Sequence, residues 1–568
     1  MTPRDAAWAG LVPWPEDLVQ RYREAGIWGD ANLAQWLQER LAGRATETAL
    51  IGQGLHGELW STLSRRQLLD QVRRLARGLQ AIGLTSGDRV VMQLRNSNAF
   101  VVTLLALFEL GVIPVLALPG HRRAEIEHFL KLTSGCAWFA SDDEASSDLQ
   151  QLGSELRTRV PSLQHVILDG PDPGPHRPLS SLLDKAAEMD EPKQACDLPG
   201  HHVDPGSIAL LLCSGGTTGL PKLIPRTHRD YIYNVRASAA VCDLEPEDRY
   251  LVCLPAAHNF PLSSPGILGA IDSGAAVVVS PSPSPETAFD WIERSGATVT
   301  SLVPPLARVW LDYAAEVSPP SGGLRLLQVG GARLDPQTAR RIPRELGCRL
   351  QQVYGMAEGL LNYTRKNDPE TLVNNTQGRP LSAFDEVRVV DPNGADVPAG
   401  QRGELWTRGP YTLRGYYRDP EANARAFSED GFYKTGDLVR QIRSGHLIVE
   451  GRTREVIRRG AETVPVETIE ALLAKHRAIR EAAIVGLPCT QLGQRVCAVI
   501  APNEGPRLTL AELRQYLVAE GVARLMLPES LTFVNKLPVT AVGKISKKQL
   551  VAQIQQAQLH SPSEEKET

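Results

Sequence analysis

The chain contains 568 residues, which is too long for one hydrophobic core and predicts two or more domains. Hydrophobic residues make up 42% of the sequence and charged residues 22%, proportions that are ordinary for a soluble globular protein. The net charge of −4 gives no reason to expect binding to nucleic acid or to an anionic membrane.

The eight cysteines form no C-x-x-C pair, so we expect free thiols in a reducing cytoplasm rather than disulfides or a zinc site. The N-terminus lacks the apolar segment of a signal peptide. The most apolar stretch, 100–118, is broken by Glu109, Gly111 and Pro114, which favours a buried helix and a buried strand over a membrane span. The sequence therefore predicts a cytoplasmic protein.

The first long helix is predicted to start at the capping box of Ser64 and Gln67 and to end at Gly83. A strand, a helix and a second strand follow at 88–94, 98–110 and 112–118. This order predicts a βαβ unit. The Pro- and Gly-rich stretch 141–205 is expected to be an irregular surface excursion.

Strands and helices alternate again in the middle of the chain. Strands are predicted at 250–254, 275–280, 298–303, 324–329 and 349–353, and helices at 230–241, 285–295, 306–315 and 336–346. This alternation predicts an α/β protein whose large N-terminal domain has helix-covered β-sheets. Short strands and Gly turns at 385–450 predict a β-rich subdomain. Beyond residue 451, a small α+β domain is predicted, with a helix capped by Thr509 and Glu512.

One glycine-rich stretch stands out directly after the apolar run 208–213. It reads Ser214-Gly215-Gly216-Thr217-Thr218-Gly219-Leu220-Pro221-Lys222. Glycines let the backbone approach a ligand closely, and their N–H groups can form an anion-binding nest. The hydroxyls and Lys222 add donors and positive charge for phosphate oxygens. Composition alone also fits an ordinary polar loop, and the stretch is not a Walker A motif because no Gly-Lys-Ser/Thr is present.

Five further stretches lie at strand ends or domain joints. They are His258-Asn259-Phe260, Gly330-Gly331-Ala332-Arg333, Tyr354-Gly355-Met356-Ala357-Glu358, Asp437 with Gly451-Arg452, and Gly543-Lys544. Each has an ordinary interpretation by itself: a satisfied loop histidine, a glycine turn, a solvated carboxylate or a solvated basic cluster. A carboxylate at the C-terminal end of a strand also lies where α/β proteins bind their ligands.

Taken in order and spacing, these stretches resemble the adenylate-forming enzymes, which include acyl-CoA ligases, nonribosomal adenylation domains and luciferases. The resemblance extends over about residues 14–550. A narrower similarity points to stand-alone aryl-acid AMP ligases of siderophore synthesis, which activate 2,3-dihydroxybenzoate or salicylate. HNFPLSSPG, VYGMAEGLLNYTR and RGPYTLRGYYRDP carry this narrower similarity, as does Ala357 in place of a common threonine.

The resemblance implies a two-step reaction. The acid attacks the α-phosphate of ATP to give aryl-AMP and Mg²⁺-pyrophosphate, and the acyl group then passes to a phosphopantetheine thiol of a carrier protein. It also implies the roles of individual residues. The β- and γ-phosphates would be bound by Ser214, Gly215, Gly216, Thr217, Thr218, Gly219 and Lys222. The adenine would be bound by Gly331, Ala332, Arg333, Tyr354 and Gly355, and the ribose by Asp437 and Arg452. Glu358 would hold the Mg²⁺. Lys544 would bridge the carboxylate and the α-phosphate, and His258 and Glu358 are also counted as catalytic.

The acid pocket is implied to consist of Asn259, Phe260, Ser264 and Leu361. Asn259 would bind the 2-hydroxyl group and Phe260 would form a wall. Ser264 favours 2,3-dihydroxybenzoate because a serine there accompanies a 3-hydroxyl, whereas the bulk of Leu361 favours salicylate. We give more weight to Ser264, because a buried hydroxyl without a partner costs about 1–3 kcal/mol.

The expected domains are a large domain at 1–450, a hinge at 451–454, a small mobile domain at 455–555 and a disordered tail at 556–568. Two positions that hold lysine in this family differ here: Arg454 stands at the hinge position and Thr463 at a position in a later loop. These differences put domain rotation and carrier docking in question. No carrier-domain serine motif follows residue 550, so the carrier is expected to be a separate protein or domain. A CoA ligase and a nucleotide-binding regulator without catalysis are the alternative functions.

Overall fold

The structure is a computed structural model. It describes residues 8–141, 147–170, 172–187, 198–214, 220–317, 319–320, 323–453, 457–459, 462–464, 466–489, 493–520, 522, 527–540 and 545–560. The chain divides into two units. The first unit comprises Met1–Val387 and Thr407–Lys434, and the second comprises Arg388–Trp406 and Thr435–Thr568.

Helices and strands alternate through the N-terminal part of the first unit. The helices are α1 (Glu16–Glu24), α2 (Leu33–Ala42), α3 (Arg65–Ala81), α4 (Asn98–Leu110), α5 (Arg123–Thr133), α6 (Ser147–Arg159) and α7 (Ser180–Ala187), with a short 3-10 helix at Pro199–His202. The strands are β1 (Thr48–Gly52), β2 (Ser61–Ser64), β3 (Arg89–Gln93), β4 (Ile113–Leu116), β5 (Ala137–Ser141), β6 (His165–Asp169), β7 (Arg177–Pro178), β8 (Ile208–Cys213) and β9 (Leu223–Thr227). Seven of these strands form a sheet in the order β7-β6-β5-β3-β4-β8-β9, which is parallel except for the β8–β9 pair.

The rest of the first unit adds a second, larger sheet. Its helices are α8 (His228–Val241), α9 (Asn259–Ser263), α10 (Gly266–Ser273), α11 (Pro285–Ser295), α12 (Pro304–Val317), α13 (Pro336–Glu345) and α14 (Glu370–Asn375). Its strands are β10 (Arg249–Val252), β11 (Ala276–Val279), β12 (Val299–Leu302), β13 (Leu326–Gly330), β14 (Arg349–Met356), β15 (Gly359–Tyr363) and β16 (Arg379–Pro380). With β1 and β2 these form a nine-stranded sheet in the order β16-β15-β14-β13-β12-β10-β11-β1-β2. The five strands from β14 to β11 run parallel, so their C-terminal ends share one edge.

The C-terminal part of the chain contains two smaller sheets. Its elements are β17 (Glu386–Val390), β18 (Arg402–Arg408), α15 (Pro420–Ala426), β19 (Tyr433–Gln441), β20 (Leu447–Arg452), β21 (Ile457–Arg459), β22 (Glu462–Val464), α16 (Val466–Leu473), β23 (Ile479–Cys489), β24 (Gly493–Pro502), α17 (Leu510–Ala519), β25 (Ser530–Phe533) and α18 (Lys547–His560). One sheet has the order β17-β18-β19-β20, as the short strands and Gly turns predict. The other has the order β22-β21-β24-β23, with β25 beside β24.

Helix α4 explains the most apolar stretch of the sequence. All 13 of its residues are buried, because the helix packs in the main core of the first unit and presents no face to solvent. The strand β4 that follows is also fully buried and pairs in parallel with β3. The buried helix and strand predicted for 100–118, and the βαβ unit, are thus confirmed. Across the described ranges, no helix has the combined length and hydropathy that a membrane span needs.

Local capping signals place two helix starts correctly. Ser64 Oγ accepts a hydrogen bond from the Gln67 N–H, and the Ser64 N–H donates one to Gln67 Oε1, so α3 begins with the predicted capping box. Thr509 and Glu512 form the same arrangement at the start of α17. In each case a short polar side chain satisfies backbone donors that the helix leaves free.

The expectation of an irregular surface at 141–205 is wrong for much of that stretch. It contains α6, β6, β7 and α7, and β6 is an inner strand of the seven-stranded sheet whose central residues Val166, Ile167 and Leu168 are buried. The Pro- and Gly-rich run that prompted the expectation, 169–178, extends only from the last residue of β6 to the end of β7. Tertiary pairing between β5 and β6, which local composition does not encode, accounts for the difference.

Candidate active site

The predicted site residues follow strands of the nine-stranded sheet. His258 comes shortly after β10, Gly331 directly follows β13, and Glu358 lies in the turn between β14 and β15. Since β10, β12, β13 and β14 pair in parallel, these positions lie along the same edge of the sheet. This is the edge at which open α/β sheets bind their ligands.

His258 begins the short helix α9. Its Nδ1 accepts a hydrogen bond from the Phe260 backbone N–H at 3.2 Å, so the imidazole caps the helix. This gives His258 a structural task in addition to the catalytic role that was predicted. The cap also fixes the direction in which Asn259 and Phe260 leave the backbone.

Asn259 is the polar centre of the predicted acid pocket. Its Oδ1 accepts hydrogen bonds from Tyr231 Oη at 3.0 Å and from Ser263 Oγ at 2.9 Å. Its Nδ2 donates to Ser264 Oγ at 3.4 Å, and Ser264 Oγ in turn donates to the Asn259 carbonyl at 3.3 Å. The amide oxygen is therefore saturated, while the amide nitrogen has one long hydrogen bond and can donate to a ligand oxygen.

Two glycines shape the apolar walls of this pocket. A Cβ at Gly330 would lie 2.7 Å from the Val353 carbonyl oxygen and 3.1 Å from the Phe260 ring, so only glycine lets that ring rest on the strand. At Gly355, opposite Leu361 in the β14–β15 pair, a Cβ would overlap the Leu361 side chain. Phe260 and Leu361 are both buried, as a slot for a flat ring requires.

A buried tyrosine and carboxyl support Leu361 from behind. The Leu361 backbone N–H donates to Tyr411 Oη at 3.3 Å, and Tyr411 Oη donates to Asp385 Oδ2 at 2.6 Å. Burial raises the pKa of Asp385 to about 7 and raises that of Tyr411 well above its usual range. The phenol therefore keeps its proton and its bond to the carboxyl group.

Tyr416 joins two of the charged residues that were predicted to handle phosphates. Its Oη donates to Glu358 Oε1 at 3.1 Å, and its ring centroid lies 4.4 Å from Lys222 Nζ. Tyr433 Oη lies 2.9 Å from the same hydroxyl. A cation–π contact and a hydrogen bond thus hold the ammonium and the carboxylate on one aromatic side chain.

The base of the glycine-rich loop is well defined. The Ser214 N–H donates to the Lys222 carbonyl at 2.9 Å, and the Lys222 N–H donates to Ser214 Oγ at 3.0 Å. These bonds extend the antiparallel β8–β9 pair by one step. Residues 215–219, which include Gly215, Gly216, Thr217, Thr218 and Gly219, lie outside the described residues.

A buried ion pair connects the acid pocket with the turn that bears Glu358. Arg226 Nε donates to Asp230 Oδ1 at 2.8 Å, and Arg226 Nη1 donates to the Ala357 carbonyl at 3.4 Å. The same guanidinium lies over the Tyr231 ring, 4.8 Å from its centroid. Burial raises the pKa of Asp230, and the positive charge of Arg226 opposes that shift.

The remaining predicted residues fall into three groups. Ala332 and Arg333 are exposed just beyond β13, next to Gly331, and Tyr354 and Gly355 belong to β14. In the second unit, Arg452 Nε donates to Asp437 Oδ1 at 2.8 Å, and the two residues are register partners of β19 and β20. Lys544 and Arg454 lie outside the described residues.

The chemistry of Glu358 fits a magnesium ion shared with a phosphate ligand. Its carboxylate is a hard oxygen donor, and Tyr416 holds it next to Lys222. Within the described ranges, no three His, Cys, Asp or Glu side chains gather as a metal site would need. Mg²⁺ commonly binds through one or two carboxylates together with substrate phosphates, so Glu358 would hold it jointly with ATP.

Comparison with known proteins identifies the family. The AMP-binding enzyme family matches residues 37–417, and the AMP-binding enzyme C-terminal domain matches residues 468–544. The chain belongs to the AMP-binding enzyme family. These are adenylate-forming enzymes, as the resemblance of the motifs predicted.

Individual relatives show which members of this family the chain resembles. The chain is 46% identical over 555 residues to the salicyl-AMP ligase / salicyl-S-ArCP synthetase of Mycobacterium tuberculosis, covering 97% of this chain and 95% of that protein. It is 44% identical over 542 residues to the 2,3-dihydroxybenzoate-AMP ligase of Bacillus subtilis, covering 95% and 97%. The apo structure of Mycobacterium smegmatis MbtA matches with a TM-score of 0.73 and 44% identity, covering 96% and 99%.

Several supporting residues of this AMP-binding enzyme are not among the site residues predicted from its sequence: Arg226, Tyr231, Asp385, Tyr411 and Tyr416. Arg226 carried a usable signal, because an arginine in an otherwise apolar strand, with an aspartate four residues later, suggests a buried ion pair. Tyr416 stands within the motif RGPYTLRGYYRDP, but the motif gives no sign that its hydroxyl meets Glu358, 58 residues away. These residues were missed because their roles depend on long-range contacts.

Proposed function

We propose that this enzyme uses ATP and Mg²⁺ to convert a 2-hydroxybenzoate, either 2,3-dihydroxybenzoate or salicylate, into aryl-AMP. It then transfers the acyl group to the phosphopantetheine thiol of an aryl carrier protein in siderophore or nonribosomal peptide synthesis. The observation that carries the proposal is the acid pocket. Tyr231 donates to the amide oxygen of Asn259, and the amide nitrogen makes a long hydrogen bond to Ser264, so this nitrogen can donate to the 2-oxygen of a flat ring whose walls would be the buried Phe260 and Leu361.

The first step needs alignment and charge neutralisation rather than a protein nucleophile. The substrate carboxylate attacks the α-phosphorus, a new C(O)–O–P bond forms, and the bond to pyrophosphate breaks. Lys222, with Ser214 and the rest of the glycine-rich loop, binds the β- and γ-phosphates. Glu358 would hold Mg²⁺, which would offset the charge of these phosphates, and Lys544 brings the carboxylate and the α-phosphate together.

The nucleoside is bound by two sets of residues. The adenine is bound by Gly331, Ala332, Arg333, Tyr354 and Gly355, and the ribose hydroxyls are bound by Asp437 and Arg452. The Arg452–Asp437 bond supports this role, because it fixes a carboxylate oxygen on the strand pair β19–β20. The large domain at 1–450 and the small one at 455–555 rotate about 451–454, so that Lys544 leaves the site before the thiol enters.

We place 2,3-dihydroxybenzoate ahead of salicylate as the substrate. Ser264 is 1% exposed, and both hydrogen bonds of its hydroxyl are long, at 3.3 and 3.4 Å. A 3-hydroxyl of the ligand can therefore replace one of these bonds with a shorter one. Leu361 is buried against Gly355 and favours the smaller acid. We give this less weight, because the Leu361 side chain can repack around a larger acid, whereas a buried hydroxyl without a hydrogen-bond partner is costly.

The product of each step provides the test. The enzyme, ATP, Mg²⁺ and either acid should give aryl-AMP, detected by mass spectrometry, and pyrophosphate in equal amounts. Offered a phosphopantetheine-loaded aryl carrier protein and CoA side by side, the enzyme should load the carrier protein. Loading of CoA alone would establish a CoA ligase instead, and nucleotide binding without aryl-AMP would establish a non-catalytic protein.

A further inference from the structure

One side chain of helix α8 reaches the acid pocket from beneath. Tyr231 is fully buried, and its Oη donates to Asn259 Oδ1 at 3.0 Å. Tyr231 lies 28 residues before Asn259 in the sequence, so this contact exists only because α8 packs under α9. Neither the predicted site nor the motifs include Tyr231.

The bond from Tyr231 determines which end of the Asn259 amide faces the ligand. A phenol proton buried without solvent needs an acceptor, and Oδ1 supplies it. Ser263 Oγ donates to the same oxygen at 2.9 Å. If the amide were flipped, its NH₂ group would face the hydroxyls of Tyr231 and Ser263, and the hydrogen bonds that both now donate to Oδ1 would be lost, which is costly in a buried site.

The Tyr231 ring is itself held in place. Arg226 lies over the ring, 4.8 Å from its centroid, and is fixed by its ion pair with Asp230. Both charged side chains are at most 1% exposed, so the stack excludes water. Burial raises the pKa of Tyr231 far above neutrality, so the phenol stays protonated and remains a donor.

We infer that Tyr231 is a positioning residue for the acid: by donating to Asn259 Oδ1, it directs Asn259 Nδ2 at the ortho oxygen of the substrate. This inference rests on the proposed function, because it presumes that Asn259 binds a 2-hydroxybenzoate. It gives the pocket two layers, an amide that contacts the acid and a phenol that never does. Tyr231 thereby contributes to the choice of an ortho-hydroxylated acid.

The test is Tyr231→Phe, which removes the hydroxyl and keeps the ring. In ATP–pyrophosphate exchange with salicylate, the KM for salicylate should rise about five- to tenfold, the effect of one lost hydrogen bond, while kcat and the KM for ATP change less than twofold. In an Asn259→Ala background, Tyr231→Phe should add less than twofold, because the amide it orients is gone.

Tyr250→Phe is the matched control. Tyr250 is also fully buried, and its Oη donates to Ser301 Oγ at 2.9 Å, on strands β10 and β12. This variant should leave the KM for salicylate unchanged. If Tyr231→Phe fails to fold, Ser263→Ala serves instead, because it removes the second donor to Asn259 Oδ1 and should raise the same KM.

The outcomes separate this inference from the proposed function. If the wild-type enzyme shows no ATP–pyrophosphate exchange with any 2-hydroxybenzoate, the proposed function is contradicted, and this assignment is contradicted with it. A wild-type enzyme that is active while Tyr231→Phe alters the KM values for salicylate and ATP equally contradicts the assignment alone. Independent, multiplying effects of Tyr231→Phe and Asn259→Ala would contradict it as well.

Discussion

The candidate site has neutral side chains in one part and charged side chains in another. The residues of the proposed acid pocket carry an amide, a hydroxyl and apolar side chains, and Asn259, Ser264, Phe260 and Leu361 are all buried. The charged residues Lys222 and Glu358 meet instead at Tyr416. This separation suits the reaction, because the ring needs shape and one or two polar contacts, whereas the phosphates need charge.

Ser264 provides the residue-scale test of substrate choice. Because its hydroxyl is expected to bind the 3-hydroxyl group, Ser264→Ala should lower kcat/KM for 2,3-dihydroxybenzoate about tenfold, which corresponds to about 1.4 kcal/mol. The same variant should change kcat/KM for salicylate less than twofold. Pyrophosphate exchange with each acid measures both values. If the wild type prefers salicylate and Ser264→Ala affects neither acid, Leu361 is the residue that determines the preference.

Tyr416 provides a second test. Removing its hydroxyl in Tyr416→Phe leaves the ring under Lys222 but releases Glu358, so the Mg²⁺ concentration that half-saturates pyrophosphate exchange should rise about threefold or more. Tyr417→Phe is the control: Tyr417 is also buried, and its hydroxyl has no hydrogen-bond partner among the described residues. An unchanged Mg²⁺ requirement in Tyr416→Phe would show that the hydroxyl does not position Glu358.

At this scale the sequence predicts the residues that are expected to contact ligands, but not the residues that support them. Asn259, Phe260 and Glu358 lie in short motifs, so their neighbours in the sequence identify them. Tyr231 and Tyr416 reach the site across 28 and 58 residues. A motif cannot reveal such support, because it depends on how helices and strands pack after the chain has folded.

Among the secondary-structure elements, α2 and α8 are joined by a histidine. His228, the first residue of α8, is buried, and its Nδ1 accepts a hydrogen bond from the Leu33 backbone N–H at 3.1 Å. Burial lowers the pKa of His228 from 6.5 to about 3. The neutral ring is thus part of the folded state, and protonation is incompatible with this contact.

The link predicts how acid destabilises the fold. Below about pH 6.5 the unfolded chain binds a proton at His228 that the folded chain does not, so stability is lost as the pH falls from 6.5 towards 3. The contribution amounts to about 2 kcal/mol between pH 7 and pH 5. Urea unfolding at several pH values should therefore show a shallower acid loss in His228→Asn than in the wild type.

His56→Asn is the control for that measurement, because His56 is exposed. Its pH dependence should match that of the wild type. A His228→Asn variant whose stability falls with pH as steeply as that of the wild type would show that His228 is not the buried neutral group.

Secondary structure was predictable where local signals agree. The capping boxes at Ser64 and Thr509 and the alternating apolar runs placed helices and strands within a few residues of their observed bounds. The stretch 141–205 was not, because α6 is mostly polar and both α6 and β6 gain their stability from the sheet they join. The Pro- and Gly-rich composition indicated only the segment that connects β6 to β7.

At the scale of the whole molecule, the proposed function requires that the two steps use different positions of Lys544. Lys544→Ala should reduce aryl-AMP formation by at least 100-fold, because it removes the cation that joins the carboxylate and the α-phosphate. Transfer of the acyl group from pre-made aryl-AMP to the carrier protein should keep most of its rate. Single-turnover assays of each half-reaction measure the two rates separately.

Arg454→Pro is the complementary variant, since it stiffens the hinge proposed at 451–454 and should slow transfer more than adenylation. Equal loss of both half-reactions in Lys544→Ala would assign that lysine a structural role. Unchanged transfer in Arg454→Pro would place the rotation elsewhere in the chain.

The central claim is that this enzyme activates an ortho-hydroxylated aromatic acid, and ATP–pyrophosphate exchange across about a dozen aryl acids tests it most directly. We expect strong exchange with 2,3-dihydroxybenzoate and salicylate, and at least tenfold lower kcat/KM with benzoate and with 3- and 4-hydroxybenzoate, which offer Asn259 no ortho oxygen. Exchange that is equally fast with benzoate, or that requires an aliphatic acid, would contradict the account.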